Sequence, residues 1–173
     1  REVIQDGVLP YLNDHFSGTI TEELALVMIP GDLVENGNVY SQWKDHFFTP
    51  AQPLLSSIPV YPVPGNHEND SDYFFQYFHL PDNGSAGAEE HWWYHDYGNL
   101  RIVGLDSNGP YTTQQQLDWL ADVLATTCDN EDIDFVFAQL HHPHLSELWI
   151  PGESNFTGEV IQRLEDFTTS CGK

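Results

Sequence analysis

The chain has 173 residues, a length typical of one domain or slightly more. It carries 27 Asp and Glu residues against 5 Lys and Arg residues, which gives a formal net charge of −22. Five scattered basic residues form no patch that could neutralise nucleic-acid phosphates, and they equally disfavour binding to an anionic membrane. Because 40% of the residues are hydrophobic and 13% are aromatic, the composition predicts an acidic, globular protein rather than a disordered one.

The two cysteines leave two alternatives open. Cys128 and Cys171 either form one disulfide or remain two unrelated reduced thiols. A disulfide would favour an oxidising compartment, and we then expect a secreted or periplasmic protein. The sequence also has no apolar run of the ~18 residues that a membrane-spanning helix needs. No feature indicates an oligomeric state.

Helical and strand-like segments alternate along the chain, which predicts an α/β layered fold with a largely buried sheet. In the first half we expect an amphipathic helix at 1–16, a buried strand at 24–29, an interrupted helix at 39–57 and a proline-containing strand at 58–63.

The second half continues the alternation and contains a predicted hairpin. The turn Gly98-Asn99 separates strands at 91–97 and 100–105, a spacing typical of a two-residue hairpin loop. The remaining predicted elements are a short aromatic helix at 72–79, a helix capped by Thr112 or Thr113 and ending at Ala125, a strand at 135–140 and a helix at 157–169.

Three of the apolar strands run directly into polar, chemistry-bearing loops. They end in Gly31-Asp32, in the segment 65–68 (Gly-Asn-His-Glu) and in the segment 141–144 (His-His-Pro-His). Ligands in α/β sheets bind outside the carboxyl ends of the strands, so these loops could converge on one site. Carboxylate, amide and imidazole groups together suit Zn, Mn, Fe or Co, and a carboxylate can bridge two such ions.

The ordered motifs Gly31-Asp32, Gly65-Asn66-His67-Glu68 and His141-x-Pro143 resemble those of the calcineurin-like metallophosphoesterase superfamily, which includes the purple acid phosphatases. The resemblance extends over roughly residues 1–173, taken as a single domain. It implies a layered sandwich of mixed β-sheets flanked by helices, in four-layer αββα order. The implied activity is hydrolysis of small phosphomonoesters or phosphodiesters through a dinuclear centre of divalent Mn, Zn or Fe.

The resemblance also implies a role for each motif residue. Asp32 would bridge the two metal ions, and Asn66 and His141 would bind the second ion. His67 would bind the phosphate and protonate the leaving-group oxygen, with Glu68 orienting it.

The sequence departs from the superfamily pattern at three places. An opening Asp-x-His/Gly motif and a closing Gly-His-x-His motif are absent, so we expect the chain to correspond to the middle of a catalytic domain and to be inactive in isolation. Glu35 stands where purple acid phosphatases place a tyrosine, so no iron–tyrosinate centre is expected. The alternative function is a catalytically inactive, acidic interaction or cation-binding domain that retains the fold.

Overall fold

The computed structural model describes residues 3–173, so the first two residues of the predicted helix 1–16 lie outside the described part. The helices are α1 (Leu9–His15), α2 (Ile20–Glu23), α3 (Tyr40–Gln42), α4 (Thr49–Leu55), α5 (Asp72–Tyr77), α6 (Gln114–Cys128) and α7 (Asn155–Cys171). π-Helical turns at Val3–Val8 and Trp43–Phe48 lead into α1 and α4. No helix among residues 3–173 is both long and apolar enough to cross a lipid bilayer.

The strands form two sheets within the described residues. They are β1 (Val27–Ile29), β2 (Val60–Pro62), β3 (Trp93–Tyr97), β4 (Leu100–Gly104) and β5 (Phe135–Gln139). β1 and β2 pair in parallel, while β3, β4 and β5 form a second sheet in that order. β3 and β4 are antiparallel across the predicted turn, and β4 and β5 are parallel.

The first two strands lie where the sequence predicts them, but each has only three residues instead of the expected six. Proline limits them, because a proline nitrogen cannot donate to a ladder. Pro30 follows β1, and Pro59 and Pro62 flank and end β2. Two backbone bonds outside the strands extend the pairing: Val27 N–H donates to the Pro59 carbonyl, and Val63 N–H donates to the Ile29 carbonyl.

Two hydrophobic cores lie on the two faces of the second sheet. Trp93 and Ile102 pack with residues of β1, β2 and the helices of the first half, including the fully buried Trp43. Val103 and Leu105 instead pack with α6 and α7. The order is therefore helices, sheet, sheet, helices, which confirms the expected mixed α/β architecture with sheets flanked by helices.

Helix α6 fixes the segment that follows β4. The Thr113 side chain accepts a hydrogen bond from Gln116 N–H, which confirms the predicted N-cap. The fully buried Gln116 amide accepts from Asp106 N–H and donates to the Asp106 and Tyr111 carbonyls. The loop after β4 is thus held by a side chain from the helix that packs beneath it.

The ends of α6 and α7 are joined covalently. Cys128 and Cys171 form a disulfide, with Cα atoms 5.6 Å apart, so the alternative of two reduced thiols is wrong. The Lys173 ammonium reinforces the same junction by donating to the carbonyls of Thr127 and Asn130. The disulfide closes a loop that contains β5 and the whole loop between β5 and α7.

Reducing this disulfide should lower the free energy of unfolding. A bridge between residues 43 positions apart restricts the unfolded chain by about 4 kcal/mol in the chain-entropy estimate. We expect a loss of about 2–4 kcal/mol on reduction, measured by urea denaturation with and without dithiothreitol. The double variant Cys128→Ser/Cys171→Ser should match the reduced protein and should not respond to reductant. An unchanged urea midpoint on reduction would contradict the expectation.

Candidate metal centre

The three strand-end loops that the sequence predicts to converge do meet at one point. The imidazole Nε2 of His141 lies 2.9 Å from Asn66 Oδ1 and 3.4 Å from Asp32 Oδ1. The loops come from two sheets rather than from one, because β1 and β2 belong to the first sheet and β5 to the second. Just before the site, Gln139 Nε2 donates to the Tyr61 carbonyl at 2.7 Å and fastens the sheets together.

The hydrogen bonds of His141 orient its Nε2 towards the side chains of the other two loops. Its Nδ1 lies 2.8 Å from the Pro30 carbonyl, which can only accept, so Nδ1 carries the proton. The neutral ring then presents the Nε2 lone pair to the oxygens of Asn66 and Asp32, which are also acceptors. Three converging acceptors repel one another unless a cation, or a second proton on His141, lies among them.

The donor set fits a divalent transition ion better than an alkaline-earth ion. One imidazole nitrogen, one carboxylate oxygen and one amide oxygen form a mixed N/O set. Within residues 3–173 no three His, Cys, Asp or Glu side chains form a metal-binding group, so the amide of Asn66 is needed as the third donor. These residues could hold one ion; a second ion would need further donors.

The loops approach so closely that glycine is required at position 31. Gly31 has φ +92°, and a Cβ there would lie 2.6 Å from the Gly65 nitrogen and 2.9 Å from His141 Nδ1. The next residue, Asp32, itself adopts φ +55°, a conformation that L-residues rarely take. Such backbone strain is typical of functional positions, and here it aims the Asp32 carboxylate at the other two loops.

The buried carboxylate of Glu68 ties the two loops of the first sheet together. Glu68 is fully buried, and its Oε2 accepts from Gly65 N–H at 2.6 Å and from Asp32 N–H at 2.8 Å. Its Oε1 accepts from Leu33 N–H at 2.8 Å and from Val34 N–H at 3.4 Å. Burial raises the pKa of the Glu68 carboxyl, and these four backbone donors act in the opposite direction.

These contacts of Glu68 differ from the role that the resemblance implies, which is to orient His67. It holds the backbone on both sides of the site, while the His67 ring is oriented by another group. His67 Nδ1 lies 2.8 Å from the Glu35 carbonyl and therefore donates to it. His67 Nε2 lies 3.9 Å from Asp32 Oδ2, and His67 N–H donates to Asp32 Oδ1 at 3.1 Å.

A cavity of about 590 Å³ opens beside Asp32 and His67. The other residues that line the cavity are the polar Glu35, Asp45 and His46 and the apolar Leu33 and Val34. Both Asp32 and His67 are partly exposed, with side-chain exposures of 36% and 44%. A solvent-borne ligand therefore has access to both side chains.

A fourth strand-end loop supports the site, and the motif analysis did not assign it a role. The Ser107 hydroxyl accepts from His141 N–H at 3.2 Å and from His142 N–H at 2.9 Å, and it donates to His142 Nδ1 at 2.9 Å. Burial lowers the pKa of His142, and the neighbouring His141 lowers it further. The position of Ser107 after β4 could have indicated this supporting role, because β4 is the parallel neighbour of β5 and the loops after both strands lie at the same edge of the sheet.

Asp106 accepts hydrogen bonds within the loop that follows β4. Its buried carboxylate accepts from Asn108 N–H and the Asn108 amide through Oδ1, and contacts His91 Nδ1 at 2.8 Å through Oδ2. His144 contacts the Ser154 carbonyl at 3.3 Å. None of these contacts reaches Asp32 or Asn66.

Glu68→Gln should unfold the protein more easily. Either orientation of the glutamine amide places its NH₂ group against two backbone N–H donors that the carboxylate now satisfies. Lost bonds to a charged acceptor and unsatisfied buried donors predict a decrease of about 2–3 kcal/mol in the free energy of unfolding. Urea denaturation measures it, with Glu165→Gln on the exposed face of α7 as the matched control. Equal stability of the two variants would contradict this role of Glu68.

Comparisons with known proteins agree on one family. A sequence model of the family described as calcineurin-like phosphoesterase matches residues 5–168. A protein named probable inactive purple acid phosphatase 24, from Arabidopsis thaliana, is 25% identical over 146 residues, covering 70% of this chain and 23% of its own length. The structure of a purple acid phosphatase from yellow lupin (Lupinus luteus) seeds matches with a TM-score of 0.54 and 20% identity, over 70% of this chain and 24% of that chain. The chain thus spans about a quarter of the length of these two proteins.

Proposed function

Because the chain belongs to the calcineurin-like phosphoesterase family, we propose that it contributes the core of a metal-dependent site that hydrolyses small phosphate esters. The observation that carries the proposal is the convergence of Asp32, Asn66 and His141 on one point with their acceptor atoms facing one another. We further propose that residues 1–173 form the middle of a longer catalytic domain. The match to relatives over about a quarter of their length is consistent with that arrangement.

In this proposal Asp32, Asn66 and His141 hold a divalent transition ion, with Mn, Zn or Fe as the candidates. Bound metal ions would stabilise the negative charge that develops on the phosphoryl oxygens, and Asp32 would bridge a second ion in the complete site. Three of the basic side chains are engaged elsewhere. Arg101 pairs with Asp96, Arg163 with Glu159, and Lys173 with backbone carbonyls, all away from the site.

His67 is the proposed proton donor to the leaving group. Its Nδ1 is engaged by the Glu35 carbonyl, so a second proton on the ring resides on Nε2, the nitrogen near Asp32. The ring lines the open cavity, where the departing oxygen of a phosphate ester can reach it. Glu68 keeps the His67 loop in register with the Asp32 loop and thereby acts as a positioning residue.

The second candidate function is a catalytically inactive, cation-binding or interaction domain with the same fold. Two observations favour it: the net charge of −22, and the word "inactive" in the name of the Arabidopsis relative. A cation-binding domain would use the same cation site as the enzyme, so hydrolysis that depends on His67 is what distinguishes the enzyme from the second candidate. For either function, the disulfide between Cys128 and Cys171 supports a secreted or periplasmic location.

Asp32→Ala should weaken metal binding by at least about tenfold, the equivalent of about 1.4 kcal/mol. The carboxylate supplies the only formal negative charge among the three proposed donors, and its removal leaves an amide and one imidazole. Calorimetric titration of this chain with Mn²⁺ and Zn²⁺ measures the effect. Asp122→Ala, which removes an exposed carboxylate on α6, controls for loss of surface charge. Equal affinities of the two variants would place the metal elsewhere.

His67→Ala should lower the hydrolysis rate by about 10²–10⁴-fold while Mn²⁺ affinity stays unchanged, because His67 donates a proton and binds no metal in this proposal. The assay uses p-nitrophenyl phosphate and bis(p-nitrophenyl) phosphate, with this chain and with a form extended at both ends. His79→Ala, at an exposed histidine, is the control. An extended protein that binds metal yet hydrolyses neither ester would replace the enzyme proposal with the second candidate.

A further inference from the structure

Three consecutive large apolar residues are exposed in the loop between β5 and α7. Leu148 is 99% exposed, Trp149 37% and Ile150 66%, and we call these three residues the apolar lip. A run of three exposed apolar residues disfavours solubility and is normally retained only where it serves binding. The loop begins at His141, so the lip belongs to the same segment as a proposed metal ligand.

The lip is held in place by the loop's own hydrogen bonds. The Ser146 hydroxyl accepts from Trp149 N–H at 2.8 Å and from Leu148 N–H at 3.3 Å, while Ser146 N–H donates to the Glu153 carboxylate at 2.8 Å. The base of the loop is closed by the bond from Ser154 N–H to the Pro143 carbonyl. The apolar side chains are therefore presented to solvent by a fixed loop.

Trp149 connects the lip to the site. Its ring is stacked on His142, with centroids 5.3 Å apart and an interplanar angle of 24°, and it meets His141 edge-on at 5.5 Å. His142 is in turn fixed by the Ser107 hydroxyl. The indole thus forms a wall beside His141, and the exposed Leu148 and Ile150 flank it in the sequence.

We propose that the apolar lip binds the organic group of the substrate, and that the site therefore prefers phosphate esters carrying a bulky apolar or aryl group over small polar esters. The inference rests on the proposed function, since it assumes a phosphoryl group at Asp32, Asn66 and His141. The lip offers no charged or hydrogen-bonding side chain except the indole N–H, so burial of apolar surface is the contact it can supply. The cavity beside Asp32 is lined in part by the polar residues Glu35, Asp45 and His46.

The test compares two non-hydrolysable probes, benzylphosphonate and methylphosphonate, by calorimetry with this chain in the presence of Mn²⁺. The native chain should bind benzylphosphonate at least about tenfold more tightly. Leu148→Ser should reduce that preference at least about threefold without affecting folding, because Leu148 is almost fully solvent-exposed. Trp149→Ala should reduce it further. Ile161→Ser, at an exposed apolar residue of α7, should leave the preference unchanged.

The outcomes separate the two proposals. Binding of neither probe by the native chain in the presence of Mn²⁺ would overturn the inference, whereas the hydrolysis assay of the extended form decides the proposed function. Equal affinity for both probes would overturn the inference alone. The inference would also be overturned if Trp149→Ala weakened the binding of both probes equally while Leu148→Ser left their binding unchanged. Trp149 would then serve only to position His141.

Discussion

The carboxylate of Glu68 is the interaction on which the site depends. It is removed from water entirely, which costs free energy that four backbone N–H donors offset. Three of these donors follow β1 and the fourth precedes Asn66, so a single side chain fixes the separation of two loops more than 30 residues apart. Only glycine at position 31 allows that separation, because any side chain there would strike the second loop. The strained Asp32 backbone persists because Glu68 accepts from the N–H groups of both Asp32 and Leu33.

Because the loops are fixed in this way, hydrogen-bond acceptors from different loops lie close together. His141 Nε2 lies within 3.4 Å of an acceptor oxygen of Asn66 and of Asp32, an arrangement that opposes folding when neither a cation nor a second proton is present. A cation that binds only the folded chain reverses the balance, and at 100 times its Kd it stabilises the fold by about 2.7 kcal/mol. The overall charge of −22 helps, since it raises the local concentration of cations and repels free anionic ligands until a cation is bound. In the proposed function, folding, metal binding and substrate binding are therefore linked through one point.

The sequence predicts the polar motifs well because strand ends and glycines mark them locally. Asp32, Asn66 and His141 could be expected to meet, and the Gly98-Asn99 turn and the Thr113 cap follow from short-range rules. What it could not predict is set by tertiary contacts. The loops come from two sheets because Gln139 joins β5 to the carbonyl of Tyr61, 78 residues earlier. The partners of Glu68 are backbone groups, which no residue type reveals. The strands β1 and β2 are short because proline has no backbone N–H to donate to a neighbouring strand. The apolar pattern of the sequence does not reveal this loss.

The hydrogen bonds of the loops also explain why the residues around the site differ in polarity. Near the first sheet, backbone N–H groups of the loops donate to the buried Glu68 carboxylate. Glu35, Asp45 and His46 line the cavity there. On the side of the second sheet, Ser107 satisfies the backbone of His141 and His142, so the loop beyond them needs no further polar partner from the site. That loop closes on itself through Ser146 and presents apolar side chains instead. Polarity across the site thus follows from where each loop finds its hydrogen bonds. In the proposed function, a phosphate ester at the site would have the polar and acidic cavity residues near Asp32 and the Trp149 ring near His141.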